Sequence, residues 1–504
     1  MDWIKDESHY GFPEYKAPDG DPLNSITRQK LPVRRIIILG AGLAGLAAAC
    51  RLSETPGMEI VILEKEKTPG GLATSISFQG HRGDLGPHRI HTEIAGVQNL
   101  LHQYANDLLI SRPRASRMML DGHFLAYPPT LGGALRHFGP FGLVRFAASY
   151  LGALLRGGLS SSCRTFEEAM TASFGAALYR AIVKPYAEKT WGMPASQISA
   201  DVAGARVSAG GLGALARRLI MPEKKGRETS LSEFLYIRGG IGRLPLHLAK
   251  ILRKRGVIIQ SSRSVTGLKA LPDGGWEVSW KEPGAHGNLS ADACLSTIPV
   301  TDLVRFLGAS RPDPGLEQTM AGLHYLSMIL VFVRLKRPSV GPDSWLYFPD
   351  PTLIFNRACE FRNFDPELSP AGETMLCLEI TSLPHDPEWN RPDGYFVREA
   401  CRDLGKTGLV RQEEILGTTV RRITHAYPVY TTSYRDRLQD VFAFLRNSPA
   451  LLSFGRQGLF HHNNMDHSIY EGILAAECMM EHGSEAPRFW YAASEQFRRL
   501  RIVD

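Results

Sequence analysis

One stretch constrains this chain more than any other. The strand-like run RRIIIL meets Gly40-Ala41-Gly42-Leu43-Ala44-Gly45, which opens an alanine-rich helix up to Leu52 and leads to a second strand-like run, MEIVILE. Such a βαβ opening commits the chain to an α/β fold with parallel strands. Gly40 permits the tight turn, Gly42 lets the backbone approach a pyrophosphate, and Gly45 lets helix and strand pack closely. The helix start at Leu43 and Ala44 offers unpaired N–H groups and a positive dipole end to the phosphates. Glu64 closes the second strand 24 positions after Gly40. A carboxylate there can take both hydroxyls of a ribose, which favours an unphosphorylated adenosine ribose. The fingerprint alone leaves open whether the dinucleotide is NAD or FAD.

The organisation of the 504 residues follows from where glycines and apolar runs recur. Residues 1–32 are polar and rich in Pro, Gly and Asp, and read as an extended N-terminal arm. Residues 111–231 read as a mostly helical insertion, with apolar residues at three and four spacing in ALYRAIVKPYAEKTW. Glycines return at Arg238–Gly242, ahead of the helix LPLHLAKILRKRG and the strands VIIQ and ADACLSTIP. Residues 301–417, with LSMILVFVRL and ETMLCLEI, predict a separate β-rich substrate domain. Three glycine-punctuated blocks therefore form one Rossmann-like domain in three pieces, 33–110, 232–300 and 418–504, interrupted by a mixed α+β substrate region.

Charge and cysteine content narrow the partners. Lys plus Arg number 58 against 51 Asp plus Glu, a net charge of +7 that fits an anionic small molecule or a membrane surface and demands no nucleic acid. Seven cysteines without a CxxC pair fit a reducing compartment and buried thiols, with no metal site expected. The N-terminus carries acids and no early apolar run, so a cytoplasmic protein is expected. The apolar stretch Pro140 to Leu159, broken by Arg145 and Arg156, reads as a core helix. The alternative is an amphipathic surface that touches a membrane or admits a lipid-like substrate. Nothing in the sequence sets the oligomeric state.

After Glu64 the segment KEKTPGGLATS brings a second glycine pair, Gly70 and Gly71. It resembles the continuation in flavoproteins of the flavin amine oxidase and protoporphyrinogen oxidase superfamily, where it runs along the FAD pyrophosphate. GDLGPHRIHT (Gly83–Thr92), PYAEKTWGMPASQISADVAGARV (Pro185–Val207), AYPVYTTSYRDRL and GRQGLFHHNNMDHSI resemble the branch that includes UDP-galactopyranose mutases. Together these segments span residues 33–480 in the right order. The resemblance implies FAD as cofactor, held additionally by Lys65, Gly70, Gly71, Leu72, Ala73 and Val265. It implies that Gly86, Pro87 and His88 pass the flavin ring, where a histidine could contact it or move a proton. Gly455, Arg456, Asn464 and Met465 would close over the flavin, with a helix N-terminus at its pyrimidine edge.

On the substrate side, the resemblance implies a wall of Tyr186, Lys189 and Trp191. Arg206 follows in ADVAGARV as a candidate for the same cavity, Tyr427 belongs to a tyrosine cluster near Pro428 whose spacing suits a loop over the substrate, and His461 lies in the least family-like turn, where a histidine can replace a substrate-binding tyrosine. Tyr430 and His462 are further candidates for the chemistry. Each has a plain structural account beside it: a snorkelling lysine, a helix cap, tyrosines buried in a sheet domain. In the mutases the segment matching LFHHNNMD presents tyrosines to a substrate diphosphate, and here Phe460 and His462 stand in those places. The glycine-rich C-terminal signature of carotenoid desaturases is missing. The leading expectation is hydride transfer from a small organic substrate, such as a sugar, lipid-linked or natural-product intermediate, to flavin N5. A redox-neutral sugar mutase and a non-catalytic flavin-binding scaffold are the rival readings.

Overall fold

The computed structural model describes residues 34–127, 129–157, 163–206, 233–272, 274–308, 314–383, 385–497 and 500. A five-stranded parallel sheet is built from distant segments in the spatial order Leu451–Ser453, Ala293–Ser296, Arg35–Leu39, Glu59–Leu63 and Ile258–Gln260. Ile36 to Leu39 form an unbroken apolar run because the strand is central and covered on both faces, and all four are fully buried. Helix Leu43–Leu52 lies against helix Met465–His482. A Cβ on Gly472 would come within 2.2 Å of the Ala44 carbonyl oxygen, so only glycine lets these helices approach so closely.

A second, seven-stranded sheet runs Ile415–Pro428, Tyr325–Leu335, Thr374–Ser382, Arg357–Glu360, Trp345–Tyr347, Ser116–Leu120 and His123–Ala126. Its neighbours are antiparallel except Trp345–Tyr347 beside Ser116–Leu120. Helix Asp393–Lys406 covers one face through Phe396, Ala400 and Leu404. Met328, Tyr347, Arg357 and Ile423 turn instead toward a cavity beside the first sheet.

Several expectations change here. The insertion expected to be helical opens with the hairpin Ser116–Leu120 and His123–Ala126, which extends the seven-stranded sheet, and its ends are tied by pairing of Leu109–Pro113 with Glu233–Ile237. The expected boundary at 418 falls inside strand Ile415–Pro428, which is laddered along Tyr325–Leu335 and so belongs to the substrate sheet up to Pro428. The apolar stretch expected as a core helix is the outer part of Leu131–Leu155, where Phe141 and Leu155 are each 89% exposed. An apolar run reports composition, whereas burial depends on what packs against it. The expected N-terminal arm and residues 207–231 of the insertion lie outside the described residues. All seven cysteines are free thiols, six of them buried.

Candidate functional site

The glycine turn is as tight as its residue types require. Gly40 turns the chain at φ +99°, and a Cβ on Gly45 would meet the Gly40 carbonyl oxygen at 2.2 Å, while nothing lies within 4 Å of the same position on Gly42. That empty flank is where a phosphate can approach backbone. Gly70 bridges Gly42, and its N–H donates to the Ala41 carbonyl at 2.9 Å, so the second glycine pair lies along the first turn. Leu72 reaches the cavity beyond it, and Ala73 closes the turn by donating to the Gly70 carbonyl.

Glu64 sits 4% exposed at the end of its strand, its carboxylate accepting the N–H of Ala41 at 2.8 Å and of Glu66 at 2.8 Å. Burial pushes its pKa up, while the two N–H bonds oppose that shift. A carboxylate has about four acceptor positions, so capacity for ribose hydroxyls remains. Arg263 donates its N–H to the Glu64 carbonyl, which brings Val265, two residues on, to the same end of the groove. Lys65 is exposed at the rim.

From this groove a cavity of about 420 Å³ opens toward the seven-stranded sheet, a volume suited to a small-molecule site. Gly86, Pro87 and His88 form one wall, and Arg456, Asn464 and Met465 another. The loop before His88 is anchored by Asp84, which is fully buried and accepts from Ser75, Tyr236 and the Ile241 N–H. Burial pushes the Asp84 carboxyl up to about 6. His88 is half-buried, but its Nδ1 is shut from solvent with no hydrogen-bond partner, an orphan that a bound ring could satisfy. Burial first, then the positive charge of Arg456, pushes His88 down to about 3 and keeps it neutral.

Asn464 caps the 18-residue helix Met465–His482 in extended backbone without a side-chain cap bond. Asn464 and Met465 both line the cavity, so the first backbone donors of that helix lie at its edge. Arg456 donates to the Asn463 carbonyl at 2.6 Å, and its guanidinium lies 4.8 Å from the Tyr427 ring centre. Tyr427 stacks in turn on His462 at 5.1 Å and 14°. Gly455 supports this layer from below, where a Cβ would meet that of Ala44 at 3.0 Å.

The expected substrate residues divide. Tyr186, Trp191, Tyr427 and His462 line the cavity. Lys189 does not: its ammonium donates to the carbonyls of Phe348 at 2.8 Å, Asp350 at 2.6 Å and Phe355 at 2.7 Å, which occupies all three protons. It clamps the turn between two strands, and burial pushes it down to about 7. His461 is also turned away, held at 2.7 Å by the fully buried Glu471. Tyr430 is buried behind His462, accepting its backbone N–H at 2.8 Å and stacking on Tyr434 at 4.1 Å. It therefore positions His462 and does not face the cavity. Arg206 ends helix Asp201–Arg206, and its side chain lies outside what the structure describes.

Other residues at the site carried no signal in the sequence. Arg357 reaches the cavity from a four-residue strand while its guanidinium grips Glu379 on the next strand at 2.8 and 2.6 Å. Glu471 receives both His461 and the Asn463 amide and so holds the turn ahead of the helix. Arg89 and Arg114 line the far end near Trp345. Arg89 at least lies within the GDLGPHRIHT motif. The described lining thus carries four arginines and no carboxylate. Among the described residues no group of three metal-ligating side chains comes together.

The family model described as flavin containing amine oxidoreductase matches residues 43–480. Human protoporphyrinogen oxidase is 26% identical over 336 residues, 59% of this chain and 66% of its own length. The neurosporene-forming phytoene desaturase of Cereibacter sphaeroides is 47% identical over 53 residues, 10% of each chain. The match therefore spans about a tenth of the desaturase and just under two thirds of the human enzyme. Reduced UDP-galactopyranose mutase superposes with a TM-score of 0.78 at 22% identity, covering 94% of this chain and 98% of that one. Putrescine oxidase bound to putrescine superposes with a TM-score of 0.60 at 15% identity, over 89% and 99%. At these identities the superpositions establish the shared fold.

Proposed function

The chain belongs to the flavin-containing amine oxidoreductase family, with FAD as its cofactor, and from that premise we propose that it oxidises a small anionic organic substrate held in the cavity between its two sheets. The observation that carries this reading is the lining of that cavity: four arginines and no carboxylate, with Leu72, next to the second glycine pair, at its border. FAD, when bound, supplies a hydride acceptor at flavin N5. Glu64 and the Gly40–Gly45 turn would hold its nucleotide end. The Gly86–His88 loop and the helix start at Asn464 would hold the ring end.

The remaining steps belong to the protein. Arg357, fixed by Glu379, and the arginines near Trp345 orient the anionic part of the substrate. Trp191, Tyr186 and Tyr427 enclose it and exclude water. His88, kept neutral by burial and by Arg456, presents its unpartnered Nδ1 at the cavity wall for a hydrogen bond to a bound ring or to the substrate. The decisive experiment mixes the yellow holoenzyme anaerobically with candidate anionic substrates. Substrate-driven bleaching of the flavin absorbance supports oxidation, and its absence with every candidate defeats the reading.

A redox-neutral sugar mutase is the second reading, favoured by the superposition on UDP-galactopyranose mutase along nearly the whole chain. Turnover that requires prior dithionite reduction would support it. Phe460 weighs against it, because a fully buried phenyl ring offers no hydroxyl to a diphosphate.

A further inference from the structure

The helix Leu131–Leu155 is broken by Gly139, at φ 66° and ψ 175°, with Pro140 beside it, and the arm after this break is apolar on the side that faces out. At about 100° per residue, Phe141, Val144, Leu151 and Leu155 fall within one arc of about 80°. They are 89, 66, 57 and 89% exposed. The opposite arc is seated on the protein: Phe146 is buried against Phe138 at 5.0 Å, and the Ser149 hydroxyl accepts the Ala177 N–H at 3.0 Å. Arg145 and Arg156, both exposed, lie about 20° apart along one border of the apolar arc. Residues 131–157 contain no Asp or Glu.

An exposed apolar arc bordered by arginines, on a chain of net charge +7, is complementary to one environment, the surface of an anionic bilayer. We infer that this helix is the membrane-docking surface of the protein, lying in the interface with Phe141, Val144, Leu151 and Leu155 among the acyl chains and Arg145 and Arg156 at the headgroups. Because its inner arc is fastened to the body, the helix lies on the bilayer and does not cross it. A second copy of the chain is the poorer occupant. A two-fold contact would set this face against itself, arginine toward arginine, with no acid in the helix to offset them. The helix also borders the active cavity, since Phe138 packs with Met118, Ile182 and Tyr347, which line it. Docking is independent of the reaction proposed above.

The test is flotation of the holoenzyme with vesicles of phosphatidylcholine alone or mixed with phosphatidylglycerol. The wild type is expected to float with the mixed vesicles and to be released by salt. The triple variant Phe141→Ser, Leu151→Ser, Leu155→Ser is expected to bind at least roughly tenfold more weakly. Arg145→Glu with Arg156→Glu should weaken binding to the anionic vesicles by roughly tenfold or more. Flavin content and melting temperature of these surface variants should match the wild type, which shows that they fold. Failure of the wild type to float with either vesicle, or equal flotation by the variants, overturns the inference. A dimer in sedimentation that the triple variant dissociates, without vesicle binding, overturns it in favour of a second copy.

Discussion

Glu64 and Glu379 are both carboxylates at 4% exposure or less, one at the glycine turn and one behind the cavity-lining Arg357, and they are balanced by different means. Glu64 rests on the backbone N–H groups of Ala41 and Glu66, close along the chain or just across a βαβ turn. Glu379 is gripped by the guanidinium of Arg357, 22 residues away on the neighbouring strand. The first arrangement leaves acceptor capacity for a ligand. The second is closed on itself, so its use to the site is mechanical: it fixes the direction in which Arg357 enters the cavity. The nucleotide end is thus assembled from backbone and short-range spacing, and the substrate end from side chains that only the sheet brings together.

The largest effect is expected at the closed pair. Arg357→Met leaves Glu379 buried without its counter-charge and should cost about 3–5 kcal/mol in denaturant unfolding. Combining it with Glu379→Leu should recover most of that loss. A single variant as stable as the wild type would show that the pair is not closed. Lys189→Met comes next. It strands three carbonyls and should cost about 1–3 kcal/mol while leaving the flavin-to-protein absorbance ratio unchanged. Lost flavin at undiminished stability would return Lys189 to the ligand side of the molecule.

At the open end, Glu64→Ala should lower flavin retention by about tenfold on gel filtration, through the loss of charge-assisted ribose bonds. Unchanged flavin content would remove the ribose assignment. The subtlest contrast lies within the single loop that joins the two ends. The Asp84 pKa is raised from 3.8 to about 6, so the folded state binds its proton more readily and its contribution to stability falls as pH rises through that window. The His88 pKa is lowered from 6.5 to about 3, so its contribution is complete above 6.5 and is lost as pH falls toward 3. The melting temperature of the Asp84→Asn apoprotein should therefore rise more steeply between pH 4 and 6 than that of the wild type, and that of His88→Asn less steeply. Parallel curves for all three would mean that burial at the loop does not govern either group.

How much of this was legible varies with the distance over which each feature is decided. Gly40, Gly42, Gly45 and Glu64 are readable because their spacing is set inside one βαβ unit, where strand, turn and helix geometry leave little choice. The motif around His88 marks a loop that lies on the cavity wall, but the anchor beneath it, Asp84 held by Tyr236, joins residues 152 positions apart. Tyr186, Lys189 and Trp191 look alike as neighbours on a short helix. Which of them faces ligand depends on the Phe348–Phe355 turn that captures the lysine. Tyr430 and Tyr427 are three apart at a strand end, and only packing sends one behind His462 and the other beside it.

The α/β fold, the FAD-binding half and the family were readable from the chain alone, because a glycine turn, a helix start and a strand-end acid act through backbone geometry encoded locally. The substrate half was settled by long-range packing. It turned Lys189, His461 and Tyr430 away from the cavity, brought Arg357 into it, and left an apolar helix bare. Those outcomes depend on which distant surface covers a side chain, and no local pattern in the chain carries that information.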